Sequence, residues 1–210
     1  MVAQRKKRQR RHRKKRVNRF EQVILACLVV VVAALLAYVG HSVYERHQQQ
    51  EIQQRAQRNK QVFINEIAPE AQAMQRTYQV PASITLAQAI LESDWGTSQL
   101  ASQYHNLFGI KGTGPNSRNL STKEYVNGRW IVTTGSFKVY DSWDESIRDH
   151  TQLMVNGTAN NHANYSGVTH ATNYKAAAMA LQRAGYATDP DYAAKLINVI
   201  QTYNLAKYDN

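Results

Sequence analysis

Residues 83–96 read SITLAQAILESDWG. At about 100° per residue, Ile84, Ala87, Leu91 and Trp95 fall within about 80° of one another on a helix, and Leu86 and Ile90 widen that apolar face. A stripe of this kind has to be buried against a partner. The segment therefore reads as a core-facing helix from about Ile84 to Trp95, with Ser83 as its N-cap and Gly96 as its C-terminal stop. Glu92 falls on the edge between the stripe and the polar side, beside Gln88 and Thr85 and about 60° from Trp95. A carboxyl group in the last helical turn lies near the negative end of the helix dipole. With an indole beside it, its charged form is disfavoured. A carboxyl that keeps its proton is what a general acid requires, although a solvated glutamate at a helix end would show the same pattern.

Around this helix the chain alternates helix signals with one β signal. Ala68 to Tyr78 reads as helix, and Val80-Pro81 breaks it. Gly112-Thr113-Gly114-Pro115-Asn116 is loop. Asn127-Gly128 separates two β-prone runs, Leu120 to Val126 and Arg129 to Thr134, which is the signature of a two-residue hairpin turn. That register pairs Val126 with Arg129, Glu124 with Ile131 and Tyr125 with Trp130. Beyond Tyr140 the signals return to helix. Ser142-Trp143-Asp144-Glu145 has capping-box spacing, Asn173 to Ala184 ends at Gly185, and Asp189-Pro190 offers an N-cap and first-turn proline for a last helix to about Asn204. The expected class is α+β: a mostly helical domain with a small β-hairpin lobe, and no internal repeat.

The N-terminal part follows different rules. Residues 1–22 hold 11 Lys and Arg against one acid, Glu21, so this segment is +10 of the chain's formal +11. The remaining chain, with 15 basic and 14 acidic residues, is +1. A surface that tracks nucleic acid would carry its charge on the folded part, so no nucleic-acid partner is expected. Residues 23–40, VILACLVVVVAALLAYVG, contain no charge. As a helix they span roughly 27 Å, close to the ~30 Å hydrocarbon thickness. The expectation is one transmembrane signal-anchor helix over 23–40. The basic tail would lie in the cytoplasm against anionic lipid, and the rest of the chain outside the cell. A cleaved signal peptide is the alternative; its h-region would be shorter, and Gly40-x-Ser42 is the one passable cleavage signal. Residues 41–64 are rich in Gln and Arg and read as a helical or partly disordered stalk, with Val43, Ile52 and Val62 too sparse for sustained heptads. Residues 65–210 suffice for one domain that buries roughly two-thirds of its unfolded surface. The single cysteine, Cys27, lies inside the apolar run, so the exported part has neither a disulfide nor a thiol nucleophile.

The blocks SITLAQAILESDWGTSQLA, YHNLFGIKG, TKEYVNG, FKVYDSWDESIRDH and AGYATDPDYAAKLINVI occur in an order that resembles glycoside hydrolase family 73, over about residues 65–210. That family comprises N-acetylglucosaminidases that cut peptidoglycan and carry the mannosyl-glycoprotein endo-β-N-acetylglucosaminidase-like domain. The resemblance implies a lysozyme-like fold in which Glu92, the glutamate of LES-x-WG, protonates the leaving glycosidic oxygen. It also implies a second acidic residue in the β lobe, at Glu124. A glycosidic bond breaks through oxocarbenium-like charge while the leaving oxygen takes a proton, so one carboxyl donates and a second group stabilises the sugar or activates water. Assistance by the substrate's own N-acetyl group could replace the second. The implied substrate is the glycan strand of peptidoglycan. By the same resemblance, Tyr104, Asn106, Phe108 and Tyr192 are groove or groove-supporting residues; Trp95, which the helical spacing puts beside Glu92, is a further substrate-binding candidate. Tyr125, paired with Trp130 on the hairpin, is a further candidate for sugar contact, or the two rings simply pack together.

Other chemistries find little support. His150, His162 and His170 are spaced by 12 and 8 residues, which matches no common helical metal motif. No glycine-rich phosphate loop follows a strand, and no nucleophile-elbow motif supports a serine triad. No cofactor is expected, and the sequence sets no oligomeric state. The rival functions are a muramidase or lytic transglycosylase on the same fold, and a non-catalytic module that binds wall glycan.

Overall fold

The computed structural model describes residues 18–126 and 128–209, with residues 123–126 and 130 described by their backbone alone. The chain divides into two compact units, Met1–Ala56 and Gln57–Asn210. Helix α1 (Arg19–Tyr78) begins in the first and ends in the second. In the first unit the apolar run 23–40 is wholly exposed, and it is long and apolar enough to cross a membrane as an anchor or to serve as a signal sequence. Residues 1–17 of the basic tail lie outside the described residues.

The second unit starts within a helix, ahead of the boundary expected at residue 65. Phe63 and Ile64, assigned from sequence to the stalk, are buried together with Ile67, Ala68 and Ala71, the spacing of a helical core stripe. Pro69 sits inside this helix. It lies on an exposed face, as does Asn65, whose carbonyl loses its helical partner and can turn to water.

Helix α2 (Ala82–Ser93) is the centre of the core, with every residue from Ala82 to Ile90 buried. A helix covered on all sides cannot leave its first N–H groups to water, and two distant side chains serve them. Gln75 Oε1 accepts from the Ala82 N–H at 2.6 Å, and the Asp209 carboxylate accepts from the Ser83 N–H at 2.7 Å and the Ser83 hydroxyl at 2.6 Å. The N-cap position belongs to Pro81, so Ser83 is a helical residue and not the cap expected from sequence. At the other end the helix stops at Ser93, before the expected Trp95. Asp94, Trp95 and Gly96 follow with φ of 49°, 60° and 76°, which turns the chain sharply back. Gly96 is required there, because a Cβ would meet the Phe63 and Trp143 rings at 2.8–2.9 Å.

Helix α3 (Gln99–Tyr104) leads into the loop that precedes the hairpin of β1 (Ser117–Val126) and β2 (Arg129–Lys138). The antiparallel register is the expected one, with Val126 opposite Arg129, Glu124 opposite Ile131 and Tyr125 opposite Trp130. Both strands run further than the β-prone runs suggested. The base of the hairpin is tied to α4 (Trp143–Asn156) by Asp149, which accepts from the Tyr140 hydroxyl at 2.6 Å and pairs with Lys138 at 2.8 Å. Ser142 caps α4 as the sequence suggested, accepting from the Glu145 N–H at 3.2 Å. After α5 (Ser166–Thr169) comes α6 (Tyr174–Arg183), where Asn173, read from sequence as the first helical residue, is the cap and accepts from the Ala176 N–H at 3.0 Å. Helix α7 (Tyr192–Thr202) starts later than expected. Its N-cap is Asp191, while Asp189 instead accepts the Asp191 N–H at 2.9 Å. A 3₁₀ turn, Leu205–Tyr208, packs on α2 and brings Asp209 to the start of that helix. The second unit is thus mostly helical with one small antiparallel sheet, the expected α+β class.

Candidate active site

The end of α2 opens into a groove of about 770 Å³ lined from several elements, among them Glu92 of α2, Phe108 of the α3–β1 loop, Thr122 of β1, Phe137 of β2, and Tyr186 and Tyr192 near α7. Glu92 is open to solvent along the groove, yet the surrounding walls remove enough water to raise its carboxyl above the usual range. Burial is the larger influence, and a hydrogen bond from Tyr192 opposes it. That bond, from the Tyr192 hydroxyl to Glu92 Oε1, measures 2.7 Å. Tyr192 is itself buried, and burial with the nearby Glu92 charge pushes its hydroxyl well above its ordinary value, so it remains a donor. Behind it, Gln88 Nε2 donates to the same hydroxyl at 3.0 Å.

The apolar side of the groove is an aromatic series. Tyr186 stacks on Tyr192 with centroids 5.7 Å apart, and Phe108 stacks on His150 at 4.0 Å and 19°. His150 is fully buried and meets the edge of Tyr186. Burial pushes its imidazole down to about 3, so the ring is neutral at any ordinary pH. Flat, fixed rings beside one carboxyl raised toward its protonated form suit an uncharged ring-shaped ligand whose scissile oxygen needs protonation.

Residues 68–205 match the glucosaminidase family, described as mannosyl-glycoprotein endo-beta-N-acetylglucosaminidase. The chain belongs to this family. It is 47% identical over 150 residues to exo-glucosaminidase LytG of Bacillus subtilis strain 168, a match that covers 71% of this chain and 53% of that protein. It is 39% identical over 160 residues to a probable N-acetylmuramidase of Lactococcus lactis subsp. lactis strain IL1403, covering 74% and 36%. The crystal structure of the autolysin Auto catalytic domain from Listeria monocytogenes superposes with a TM-score of 0.65 at 38% identity, covering 72% of this chain and 88% of that one. The chain therefore spans about half or less of these two curated relatives, and nearly all of the solved catalytic domain.

Within this glucosaminidase domain the residues singled out from sequence separate into three groups. Glu92, Phe108 and Tyr192 come together in the groove. Asn106 is buried beneath it. Its Nδ2 donates to the carbonyls of Ile110 and Lys138, both at 3.0 Å, and its Oδ1 accepts from the Phe108 and Ile110 N–H groups at 3.3 and 3.1 Å. One amide thus clamps the loop carrying Phe108 onto β2. Trp95 and Tyr104 go elsewhere. The three left-handed residues after α2 swing Trp95 away from the acid, against Tyr203 at 4.7 Å and Phe63 at 6.2 Å, with Lys60 over its ring at 4.9 Å. The ring beside Glu92 is the Tyr192 phenol and not the indole. Tyr104 ends α3, where its carbonyl accepts the Tyr140 N–H at 3.0 Å. Glu124 and Tyr125 are placed on β1 by the backbone register, and their side chains lie outside the described residues.

Three contributors to the site escape a reading of the sequence: Tyr186 in the groove lining, and Gln88 and the ring of His150 buried behind it. Gln88 is visible as a neighbour of Glu92 at helical spacing, but its link to Tyr192 joins residues 104 apart in the chain. His150 draws notice from sequence only as a metal ligand, whereas in the fold it packs as a ring. Lys195 also reaches the groove, paired with Asp189.

Proposed function

We propose that this chain is a membrane-anchored peptidoglycan hydrolase, an endo-β-N-acetylglucosaminidase that hydrolyses the β-1,4 bond between N-acetylglucosamine and N-acetylmuramic acid. The observation that carries the reading is the Glu92 carboxyl. It lies in a groove lined by aromatic rings, is shifted toward its protonated form, and is held by one hydrogen bond from Tyr192. In this reading a glycan strand lies along the groove, and Glu92 passes its proton to the glycosidic oxygen as the C–O bond breaks. The carboxylate left behind then serves as base for water in the second half of the reaction. Glu124 is proposed as the second acidic group. Position 124 lies two residues along β1 from Thr122, which lines the groove, and a strand period of two gives these positions the same face. The anchor would be residues 23–40, with the basic tail on the cytoplasmic side and the hydrolase facing the wall.

Two relatives' names favour neighbouring readings, since LytG is named an exo-enzyme and the lactococcal relative a muramidase. The chemistry of the new end separates them. Purified peptidoglycan is digested with the full chain in detergent, the products are reduced with borohydride, and the fragments are weighed. Reduced N-acetylglucosamine ends on long glycan fragments are the expected products. Single released sugars would mean exo action, and reduced muramic ends a muramidase. Anhydro ends would mean a lytic transglycosylase, and intact strands from folded, glycan-binding protein a binding module.

A further inference from the structure

Gln88 is 0% exposed on α2, one helical turn before Glu92, and no sugar could reach it. Its Nε2 donates to the Tyr192 hydroxyl at 3.0 Å, while its Oε1 is buried with no hydrogen-bond partner among the described residues. A buried amide with an unserved oxygen costs stability that an apolar residue of the same length would not. Packing alone therefore does not account for Gln88, and the neighbour it does bond supplies the reason.

We propose that Gln88 is a positioning residue for the acid, acting through Tyr192, an inference that rests on the reading of Glu92 as general acid. A tyrosine hydroxyl has one hydrogen to give. An amide nitrogen can only donate, so its approach occupies the oxygen as an acceptor and leaves the hydrogen to point at Glu92 Oε1, 2.7 Å away. Oε1 is thereby an acceptor in either state of the carboxyl, and the transferable proton is confined to Oε2. When that proton passes to the glycosidic oxygen, the bonding pair of the breaking C–O bond goes to that oxygen. The new carboxylate then finds a donor already aimed at it, polarised from behind by the Gln88 amide. Nothing has to reorient at the moment of transfer, which is the condition under which a fixed dipole assists catalysis.

The test is a double-mutant cycle on the full chain in detergent, with Gln88→Met, Tyr192→Phe and the pair, reading kcat, KM and the pH profile of kcat/KM on soluble glycan strands. Gln88→Met matches the length without a hydrogen bond. It is expected to lower kcat about tenfold, leave KM within about twofold, and move the alkaline limb to higher pH, because the carboxylate loses stabilisation. In the Tyr192→Phe background the same change is expected to add nothing beyond about twofold, since the path through the hydroxyl is already gone. Gln88→Glu supplies a second reading should the methionine variant fold poorly. Its carboxylate accepts the Tyr192 hydrogen, drawing it from Glu92, and should move the alkaline limb further up than Gln88→Met. An unmoved pH profile in either variant, or losses that simply add in the Tyr192→Phe background, would overturn the role of Gln88. Retained activity in Glu92→Gln would instead remove the acid reading beneath it.

Discussion

At Glu92 two influences oppose one another, with burial lifting the carboxyl and the Tyr192 hydroxyl drawing it down, and burial is the larger. The balance has a consequence for stability. Below about pH 4.5, the ordinary value of a glutamate, both folded and unfolded chains hold the proton and ionisation costs nothing. Above it the unfolded chain releases its proton first, so stability is lost as pH rises through the folded value. Glu92→Gln should therefore match the wild type in urea midpoint near pH 4 and exceed it near pH 8; equal midpoints at both would contradict the raised carboxyl. His150 has the opposite sign. Its imidazole titrates near 3 folded against 6.5 unfolded, so between those values the unfolded chain binds the extra proton and stability falls as pH falls. His150→Phe should keep the stack on Phe108 and flatten the pH dependence between pH 6.5 and 3, removing a slope of up to about 1.4 kcal/mol per pH unit. An unchanged slope would place the acid sensitivity elsewhere.

At the scale of elements, local patterns were legible wherever the determining residues are neighbours in sequence. The Asn127-Gly128 spacing yielded the hairpin register, and Ser142 was a recognisable cap because it serves an N–H three residues on. The start of α2 was not legible. Its donors are served by Gln75 and by Asp209, the latter 126 residues from Ser83, and a serine ahead of an apolar stripe looks the same whether or not such a partner arrives. The end of α2 shows the same limit. A helical wheel continues to Trp95, but the Phe63 and Trp143 rings leave room at Gly96 for backbone alone. Gly96→Ala should consequently destabilise the domain by about 2–4 kcal/mol, combining overpacking with a strained left-handed φ. A urea midpoint shift equivalent to less than about 1 kcal/mol would mean the turn tolerates a side chain. The site was legible to the same extent. Glu92 and Tyr192 stand out as residues, whereas the hydrogen bond joining them, and the displacement of Trp95 from the acid, depend on how α2 and α7 pack.

For the whole molecule, the sequence divides its labour along the chain. The apolar run on α1 suits an anchor or a signal sequence, with nearly all the net charge ahead of it, while the folded unit from Gln57 carries the groove; in the proposed reading the run is an anchor whose N-terminal side stays in the cytoplasm. The full chain should remain in the membrane fraction through high-salt and carbonate washes, with residues 57–210 open to protease added outside spheroplasts. Replacing the basic residues of 5–19 with Gln should produce a mixed orientation, and a mutant still wholly protease-accessible would show that the tail does not set topology. In the proposed reading, proton donation by the hydrolase rests on the Glu92 carboxyl. The most direct measurement is the rate at which the full chain and its Glu92→Gln variant, matched by circular dichroism and concentration, generate reducible N-acetylglucosamine ends from purified peptidoglycan. A loss of roughly 10²–10⁴-fold is expected in the variant, the usual contribution of a general acid. Wild-type rates from a folded Glu92→Gln protein would contradict the assignment of Glu92 as that acid.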